Sequence, residues 1–297
     1  MTSHNLVSSA SLDEGRVRLL TINRDSARNA LSVALCTELI DALETAAAQA
    51  TPCEAASEGA RAIVLTGAGT AFSAGADLKE RDFQGELYPK LEQLMTRVRT
   101  LPVPVIAAVN GPAIGAGMML AMACDMRVVA EDAFFSLPVG DMAIGVDEQA
   151  VRSLELLIGG SRARAMLMAG TRMTAADALD CGFAVSTAPA QKPDAEGKPR
   201  TVGNPDGLSP AGGDTVDTVD TVDTVDTVGA AVELARVVAA KAPLTLRALK
   251  MDFAHDVPSA FSAEEREKAR RAAWESDDFQ EVRRAREAKR RPRFTGR

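Results

Sequence analysis

Apolar and polar positions follow two different periods in the first part of the chain. The segment VRLLTI (residues 17–22) is short and β-prone, and it ends at the turn-prone NRDSARNA. Over residues 32–48 apolar side chains recur at helical spacing, with acidic side chains on the other faces. The pattern therefore predicts a strand, a turn and an amphipathic helix in succession.

The alternation of strands and helices continues beyond this helix. Apolar runs at residues 63–65 and 103–109 predict buried strands, and each is followed by a glycine-rich turn. Residues 87–99 have helical spacing, and residues 126–129 form another short strand-like run. Repeated units of this length favour an α/β fold with parallel strands and right-handed crossovers.

One nearly uncharged stretch, residues 101–124, is long enough to cross a bilayer. However, Pro102, Pro104 and the NGP turn at residues 110–112 divide it into two shorter apolar runs. This pattern is typical of a buried strand followed by a buried helix. We therefore expect no membrane span.

The periodic pattern breaks at about residue 187. Residues 188–228 are rich in Pro, Gly and Asp and end in a Thr-Val-Asp repeat, in which a buried face would leave carboxylates without partners. We expect a poorly ordered acidic insertion, with a short edge hairpin as the alternative. The sequence is accordingly divided into a disordered tail (1–10), a core (11–187), the insertion (188–228) and a helical C-terminal segment (229–297).

Charge and composition exclude several classes of function. The chain of 297 residues has a net charge of −7 and 4% aromatic residues, which argues against a nucleic-acid partner. Its four scattered cysteines give no pattern for a zinc site or a disulfide framework, and of its two histidines only His255 is left for imidazole chemistry. The N-terminal residues lack the apolar core of a signal peptide, so a cytoplasmic location is expected.

Two glycine-rich turns each follow an apolar strand and open a helix, TGAGTAFSAGADLKE (66–80) and NGPAIGAGMMLAMACD (110–125). Such turns expose backbone N–H groups at a helix N-terminus, where they can hold a phosphate or a developing oxyanion. A G-x-G-x-x-G fingerprint is absent, because Phe72 and Leu120 stand where its third glycine would be. No Gly-Lys-Ser/Thr motif occurs either, so nicotinamide chemistry and nucleotide hydrolysis lose their main sequence support.

The sequence that flanks the two turns distinguishes them from glycine-rich turns in general. The segments are INRDSARNALS (22–32), AIVLTGAGTAFSAGADLKE (62–80), PVIAAVNGPAIGAG (104–117), CDMRVVAEDAFF (124–135) and LMAGTRMTAADALDCGFA (167–184). Together they resemble the enoyl-CoA hydratase/isomerase family, the crotonase superfamily, over nearly all of the chain except the insertion. The resemblance implies a ClpP/crotonase-like spiral of ββα units with a helical C-terminal trimerisation segment, assembled as homotrimers or as hexamers that are dimers of trimers.

The resemblance also implies an oxyanion hole. In the family, two backbone N–H groups surround the thioester carbonyl, and by motif these belong to Ala76 of SAGAD and Ala116 of IGAG. The second position is usually Gly, but an Ala still supplies its N–H. The hole would stabilise the enolate charge that builds on the carbonyl oxygen when a proton leaves the α carbon or water adds at the β carbon.

Further residues are implied as contacts of coenzyme A. Ala74 and Ala76 would let adenine and the pantetheine arm approach the backbone, and Asp77 belongs to the same turn. Arg28 lies in the loop that often lines the CoA entrance. Lys289 matches a lysine that in some members contacts the CoA 3′-phosphate, often across a subunit boundary. For Arg28 and Lys289 the alternative is a solvated surface charge.

The family's two catalytic glutamates are missing from this sequence. Met119 and Val139 stand at their positions, and neither side chain can donate or accept a proton. Asp147 falls where dienoyl-CoA isomerases of the family have a catalytic aspartate, although it is also well placed to cap a helix. Asp141 is a weaker candidate that depends on a shifted alignment.

Three hypotheses follow from these residues. The first is a binding module for acyl-CoA or enoyl-CoA thioesters in lipid metabolism, and the motifs most resemble the mycobacterial members that bind acyl-CoA without hydrating it in mycolic-acid metabolism. The second is an enzyme, either an isomerase that uses Asp147 or a hydratase that uses Asp141. The third, a degenerate member with a role in assembly only, is disfavoured by the two retained turns. No metal or other cofactor is expected, since the CoA thioester is itself the ligand or substrate.

Overall fold

The computed structural model describes residues 5–48, 59–142, 144–190, 226–254, 262–290 and 292–297. The strands are β1 (Val7–Leu12), β2 (Val17–Ile22), β3 (Ala62–Gly67), β4 (Val105–Val109), β5 (Ala113–Ile114), β6 (Met126–Ala130), β7 (Phe134–Ser136), β8 (Met173–Thr174) and β9 (Ser186–Ala188). The helices are α1 (Val33–Ala48), α2 (Tyr88–Thr100), α3 (Ala116–Ala123), α4 (Glu148–Ile158), α5 (Gly160–Ala169), α6 (Ala175–Asp180), α7 (Thr227–Ala239), α8 (Pro243–Phe253), α9 (Ala263–Trp274) and α10 (Asp277–Glu287). A π-helical turn (Phe83–Leu87) leads into α2.

The main sheet has the strand order β1-β2-β3-β4-β6-β9. β1 is antiparallel to β2, and all other neighbouring strands are parallel. Ile63 pairs with Val105 and Thr66 with Ala108, so β3 and β4 end at the same edge of the sheet. The predicted α/β fold with parallel strands is confirmed.

Side chains of the central strands alternate between two cores. Leu65 and Ala107 belong to a core that includes buried side chains of α1, α2 and α3. Val64 and Ile106 point to the other face, which α7 covers. Because both faces are covered, β3 and β4 are buried along their whole length, which explains their continuous apolar sequence.

Strand-strand-helix units repeat along the core, namely β1-β2-α1, β4-β5-α3 and β6-β7-α4. In the last two units the first strand lies in the main sheet and the second in a small sheet of order β5-β7-β8. This arrangement confirms the expected spiral of ββα units. It also brings the turn after β4 and the start of α3 to one edge of the main sheet.

The structure corrects the predicted division of the chain at its boundaries. β1 begins at Val7 and pairs with β2, so residues 7–10 belong to the sheet rather than to a disordered tail. The serines of this edge strand leave little apolar alternation in the sequence, which is why the strand was missed. Ala188 lies in β9, and Thr227 and Val228 lie in α7, so both ends of the predicted insertion are part of the fold. The remainder of that insertion, residues 191–225, lies outside the described residues.

The helical C-terminal segment begins with α7 at Thr227, two residues before the predicted start. α7 packs its buried face, including Ala231, Val232 and Ala235, against the main sheet of the same chain. α8 is fastened by Lys250, which is 4% exposed and donates to Val103 O (2.8 Å) and Asp125 Oδ2 (2.7 Å). A buried ammonium is tolerated only when paired and hydrogen-bonded in this way. α7 and α8 therefore belong to the core of their own chain.

No helix in the described ranges is long and apolar enough to cross a membrane. The uncharged stretch at residues 101–124 is instead divided among β4, β5 and α3. This division agrees with the prediction made from its prolines and its NGP turn.

Candidate functional site

The two glycine-rich turns lie side by side at the edge where β3 and β4 end. Ser73 pairs with Ala113 as an isolated parallel bridge. The Ser73 N–H donates to Pro112 O (3.3 Å), and the Ile114 N–H donates to Ser73 O (3.0 Å). Backbone hydrogen bonds therefore fix the two turns to each other, although they are about forty residues apart in the sequence.

Two glycines allow this close approach. Gly75 has φ +102°, and a Cβ added there would lie 2.7 Å from Ile114 O and 3.5 Å from Ala116 N. Gly115 has φ +53°, and a Cβ there would lie 4.0 Å from Gly75 Cα. Only glycine adopts such backbone angles freely and leaves room for the opposite turn. The residues that follow them, Ala76 and Ala116, are thereby brought close together.

Ala76 and Ala116 each present a backbone N–H without an acceptor in the part of the chain that the structure describes. The backbone groups on either side of Ala76 are hydrogen-bonded to Leu31: the Leu31 N–H donates to Gly75 O (2.7 Å), and the Asp77 N–H donates to Leu31 O (2.9 Å). Ala116 is the first residue of α3, where a helix has no internal acceptor for its N–H groups. Two such donors on adjoining turns can hold one oxygen atom between them.

Two buried asparagines hold the turns in shape. The Asn29 amide nitrogen donates to Ala68 O and Ala71 O, both at 2.8 Å. The Asn110 amide nitrogen donates to Gly69 O (3.0 Å), and its oxygen accepts the Gly67 N–H (3.2 Å). Sequence reasoning missed both roles, because their partners are distant backbone groups that no local motif reveals.

Asp77 forms an ion pair instead of facing an open pocket. Its Oδ2 lies 2.6 Å from Arg24 Nη2, and the side chains are 13% and 26% exposed. Its Oδ1 accepts the Lys79 N–H at 3.0 Å. Burial raises the pKa of this carboxyl, but the bonds from Arg24 and Lys79 outweigh burial and hold the pKa below its usual value. Asp77 thus fastens the turn that carries Ala76 to the loop before α1.

The positions of the missing glutamates lie on α3 and just after β7. Met119 is in the first turn of α3, where its N–H donates to Gly115 O (3.0 Å), and its side chain packs partly buried against the main core. Val139 lies just after β7 and is also partly buried. No carboxylate is present at either position, so neither can move a proton.

Asp147 caps α4, as the alternative interpretation of this residue predicted. Its Oδ1 accepts the Ala150 N–H at 2.7 Å. Its Oδ2 accepts a hydrogen bond from the Tyr88 O–H at 3.2 Å. Tyr88 was not singled out from the sequence, since nothing in its local sequence links it to a residue 59 positions away.

The other predicted site residues are less closely connected with the turns. Asp141 is exposed and faces the end of α5, where a Cβ on Gly170 would lie 3.1 Å from its Oδ2. The Arg28 side chain is exposed, and its backbone oxygen accepts the Ala74 N–H at 2.9 Å, so that N–H is not free. Lys289 is exposed and follows α10.

The segment after Lys289 is attached at the opposite edge of the sheet. Arg61, which precedes β3, donates from Nη1 to Phe294 O at 3.0 Å. The glycine-rich turn follows the other end of β3. Within one chain the structure therefore does not bring Lys289 together with Ala76 and Ala116.

Two further sequence observations have no structural counterpart here. His255 lies outside the described residues. Among the residues that are described, no group of three His, Cys, Asp or Glu side chains is arranged to hold a metal ion.

Comparison with known proteins gives matches over most of the described core. A family model described as enoyl-CoA hydratase/isomerase matches residues 13–195. A protein of Mycobacterium tuberculosis (strain CDC 1551 / Oshkosh) named "Probable enoyl-CoA hydratase echA6" is 44% identical over 168 residues, which are 57% of this chain and 65% of that protein. A protein of Escherichia coli (strain K12) named "2,3-dehydroadipyl-CoA hydratase" is 39% identical over 171 residues, which are 57% of this chain and 64% of that protein. The matched region thus spans just under two thirds of these curated relatives.

The structural comparison covers more of the chain than the sequence comparison does. The crystal structure of an enoyl-CoA hydratase from Bacillus anthracis has a TM-score of 0.73 at 28% identity. The comparison covers 98% of this chain and 100% of that chain. The fold is therefore shared beyond the region that sequence comparison aligns.

Proposed function

Because the chain belongs to the enoyl-CoA hydratase/isomerase family, we propose that it binds acyl-CoA and enoyl-CoA thioesters with little or no hydratase activity. One observation carries the proposal. Two backbone N–H groups without acceptors, on Ala76 and Ala116, belong to adjoining turns, while Met119 and Val139 replace the carboxylates that hydration would need. The site has the groups to bind a thioester carbonyl but lacks those that would activate water.

The chemistry of hydration separates these two tasks. N–H donors stabilise negative charge on the carbonyl oxygen, whether as a dipole in the bound thioester or as an enolate. Addition of water across the double bond also needs a base to activate the water and an acid to protonate the α carbon, together worth about 10²–10⁴-fold in rate. With Met119 and Val139 in place, the site keeps the donors that stabilise charge on the carbonyl oxygen but loses the carboxylates that would transfer protons.

Coenzyme A would be held by groups from more than one part of the protein. Ala74 and Ala76 would allow adenine and the pantetheine arm to approach the backbone, and Arg28, whose side chain is exposed, would line the CoA entrance. Asp77 would contribute indirectly, by fastening the turn through Arg24. Lys289, attached at the other edge of its own sheet, would reach the CoA 3′-phosphate of a neighbouring subunit in a trimer or a hexamer.

The relatives support a place in lipid metabolism. A mycobacterial relative at 44% identity has a name that refers to enoyl-CoA hydration. We propose that this chain handles the same kind of thioester in the cytoplasm as a carrier or sensor of acyl-CoA. Fold similarity alone does not give activity, and the two replaced glutamates support binding rather than hydration.

A second candidate function is isomerisation, in which one carboxylate moves a proton between two carbons without water. Asp147 is favoured over Asp141 for this role, since Tyr88 and Ala150 hold both oxygens of Asp147 while Asp141 is exposed beside α5. Loss of a measured isomerase activity in Asp147→Asn would establish this function.

The proposal is tested by removing one donor of the pair. Ala116→Pro deletes the N–H at the first position of α3, where proline fits the helix geometry. We expect the affinity for butyryl-CoA, measured by isothermal titration calorimetry, to fall about 3- to 10-fold, because one hydrogen bond to the carbonyl is lost. Free CoA has no carbonyl at this position, so its affinity should change much less.

Ala263→Pro is the matched control, because it makes the same replacement at the first residue of α9. It should bind butyryl-CoA as the wild type does. Wild-type protein that does not bind butyryl-CoA would contradict the proposal. Equal losses for butyryl-CoA and free CoA in Ala116→Pro would contradict the assignment of the oxyanion hole.

A further inference from the structure

Three helices begin at the same end of the main sheet. At their other end, Arg99 of α2, Met122 of α3 and Leu157 of α4 line one cavity of about 590 Å³. α3 packs against both α2 and α4. Because their C-terminal parts line one cavity and α3 packs against the other two, the three helices lie side by side.

A hydrogen bond joins the beginnings of the two outer helices. Tyr88 is the first residue of α2, and its O–H donates to Asp147 Oδ2 at 3.2 Å. The Ala150 N–H in the first turn of α4 donates to Asp147 Oδ1 at 2.7 Å. Donors on two helices thus fix the plane of the Asp147 carboxylate. α3 packs against both helices, and the Ile144 N–H donates to Val139 O at 3.0 Å, so the segment that leads to Asp147 is bonded to one of the two positions where the glutamates are replaced.

The surroundings of this carboxylate are acidic. Burial and the charges of Asp147 and Glu92 raise the pKa of Tyr88 to about 12, so its hydroxyl stays a neutral donor. Burial and Asp147 also raise the pKa of Glu92. Asp147 thus acts as a nearby negative charge on both groups, and Met119 and Val139 are apolar.

We propose that Asp147, positioned by Tyr88, is a specificity-determining residue that disfavours acyl groups ending in a carboxylate and selects uncharged acyl groups. The inference rests on the proposed binding of CoA thioesters and names the class of acyl group. A ligand carboxylate beside Asp147 would be repelled by its negative charge. At an effective dielectric constant of about 20, with screening by solvent, such a repulsion is on the order of a tenfold change in affinity.

Matched pairs of thioesters test this selection. Butyryl-CoA is compared with succinyl-CoA, and hexanoyl-CoA with adipyl-CoA, since each pair has the same chain length and differs in a terminal carboxylate. Dissociation constants are measured by calorimetry for the wild type and for Asp147→Asn. The replacement removes the charge but keeps an efficient helix cap. Using ratios within each pair cancels the contacts that CoA itself makes.

We expect the wild type to prefer the uncharged member of at least one pair, and Asp147→Asn to reduce that preference about tenfold. The control is Glu148→Gln, which removes the adjacent carboxylate, exposed and paired with Arg152; its ratios should stay within about twofold of the wild type. An unchanged ratio in Asp147→Asn, with butyryl-CoA still bound, would overturn this inference and leave the proposed function intact. No binding of butyryl-CoA would instead overturn the proposed function, and this inference with it.

The positioning role of Tyr88 has its own measurement. The chain contains one tyrosine, so the absorbance of the phenolate reports Tyr88 alone. Near about pH 10.5 the wild type should show little phenolate. Asp147→Asn should show clearly more, because the replacement removes a nearby negative charge and the carboxylate oxygen that accepts the Tyr88 O–H. Equal phenolate in the two proteins would contradict the pairing of Tyr88 with Asp147.

Discussion

Asp77 follows Ala76 in the glycine-rich turn, yet its carboxylate faces Arg24. Arg24 also donates to Ala30 O at 2.8 Å, so it connects the turn to the backbone of the loop before α1. The contribution of Asp77 to the site is therefore to hold the backbone of Ala76 in place. A role of this kind predicts an effect on stability that depends on pH.

Asp77→Asn should lower the free energy of unfolding at pH 7 by about 1–3 kcal/mol, because Arg24 loses a partly buried partner. The pKa of Asp77 in the folded protein lies below its ordinary value of 3.8. The ion pair therefore stabilises the fold above that value, and the stabilisation is lost as the pH falls through the folded-state pKa. Urea unfolding of both proteins should show a difference at pH 7 that shrinks in the acid range.

The control for this experiment is Asp180→Asn, at an exposed carboxylate at the end of α6. It should change the free energy of unfolding by less than about 0.5 kcal/mol at either pH. Equal stability of Asp77→Asn and wild type at pH 7 would contradict the role given to the ion pair.

The candidate site was predictable from the sequence only in part. The turns at Ala76 and Ala116 could be identified because glycines and apolar runs are local signals. Asn29, Asn110 and Tyr88 could not, since each acts through a partner about 40 to 60 positions away. Contacts of this range are set by the topology of the sheet, which composition and periodicity do not specify.

At the scale of elements, Asp147 has two separable roles, as the cap of α4 and as a negative charge. Asp147→Ala should lower the free energy of unfolding by about 0.5–2 kcal/mol, because the Ala150 N–H loses its acceptor. Asp147→Asn keeps an acceptor and should stay within about 0.5 kcal/mol of the wild type. Thermal or urea unfolding of the three proteins measures the difference, and equal losses in both variants would contradict a capping role.

The ends of the predicted insertion lie next to each other. The Thr227 hydroxyl donates to Pro189 O at 3.0 Å, and Asp226 caps α7 by accepting the Gly229 N–H at 2.8 Å. A short Gly/Ser linker can therefore replace residues 192–225 if Asp226 is kept. We expect the melting temperature and the affinity for butyryl-CoA to stay nearly unchanged.

Asp226→Ala in the shortened protein is the informative comparison, since loss of the cap should cost about 0.5–2 kcal/mol. A large loss of stability from the linker replacement alone would mean that residues 192–225 pack against the fold.

Elements with strong local patterns were predicted closely. β2 has the bounds that its apolar run predicts, and α1 begins one residue after the predicted start. α7 was predicted as a helix over residues 230–240 and spans Thr227–Ala239. Its alanine-rich face fits closely on the main sheet, and an alanine-rich helix looks the same in sequence whether it covers its own sheet or a neighbour's.

At the scale of the whole molecule, the position of Lys289 predicts that a CoA site is completed by a second subunit. Lys289→Ala should weaken CoA binding about 3- to 10-fold if the lysine contacts the 3′-phosphate. The affinity for 3′-dephospho-CoA should not change, since that ligand lacks the phosphate. Light scattering should give about three or six times the mass of one chain, and a stable monomer that binds CoA with full affinity would contradict this assignment.

Hydration of crotonyl-CoA distinguishes a thioester-binding protein from a hydratase. The assay uses wild-type protein at crotonyl-CoA concentrations well above the dissociation constant found by titration, so that the site is filled. We expect saturable binding with hydration close to the uncatalysed rate, because Ala76 and Ala116 keep their N–H donors while Met119 and Val139 cannot transfer protons. Rapid, saturable hydration of crotonyl-CoA by the wild type would contradict it.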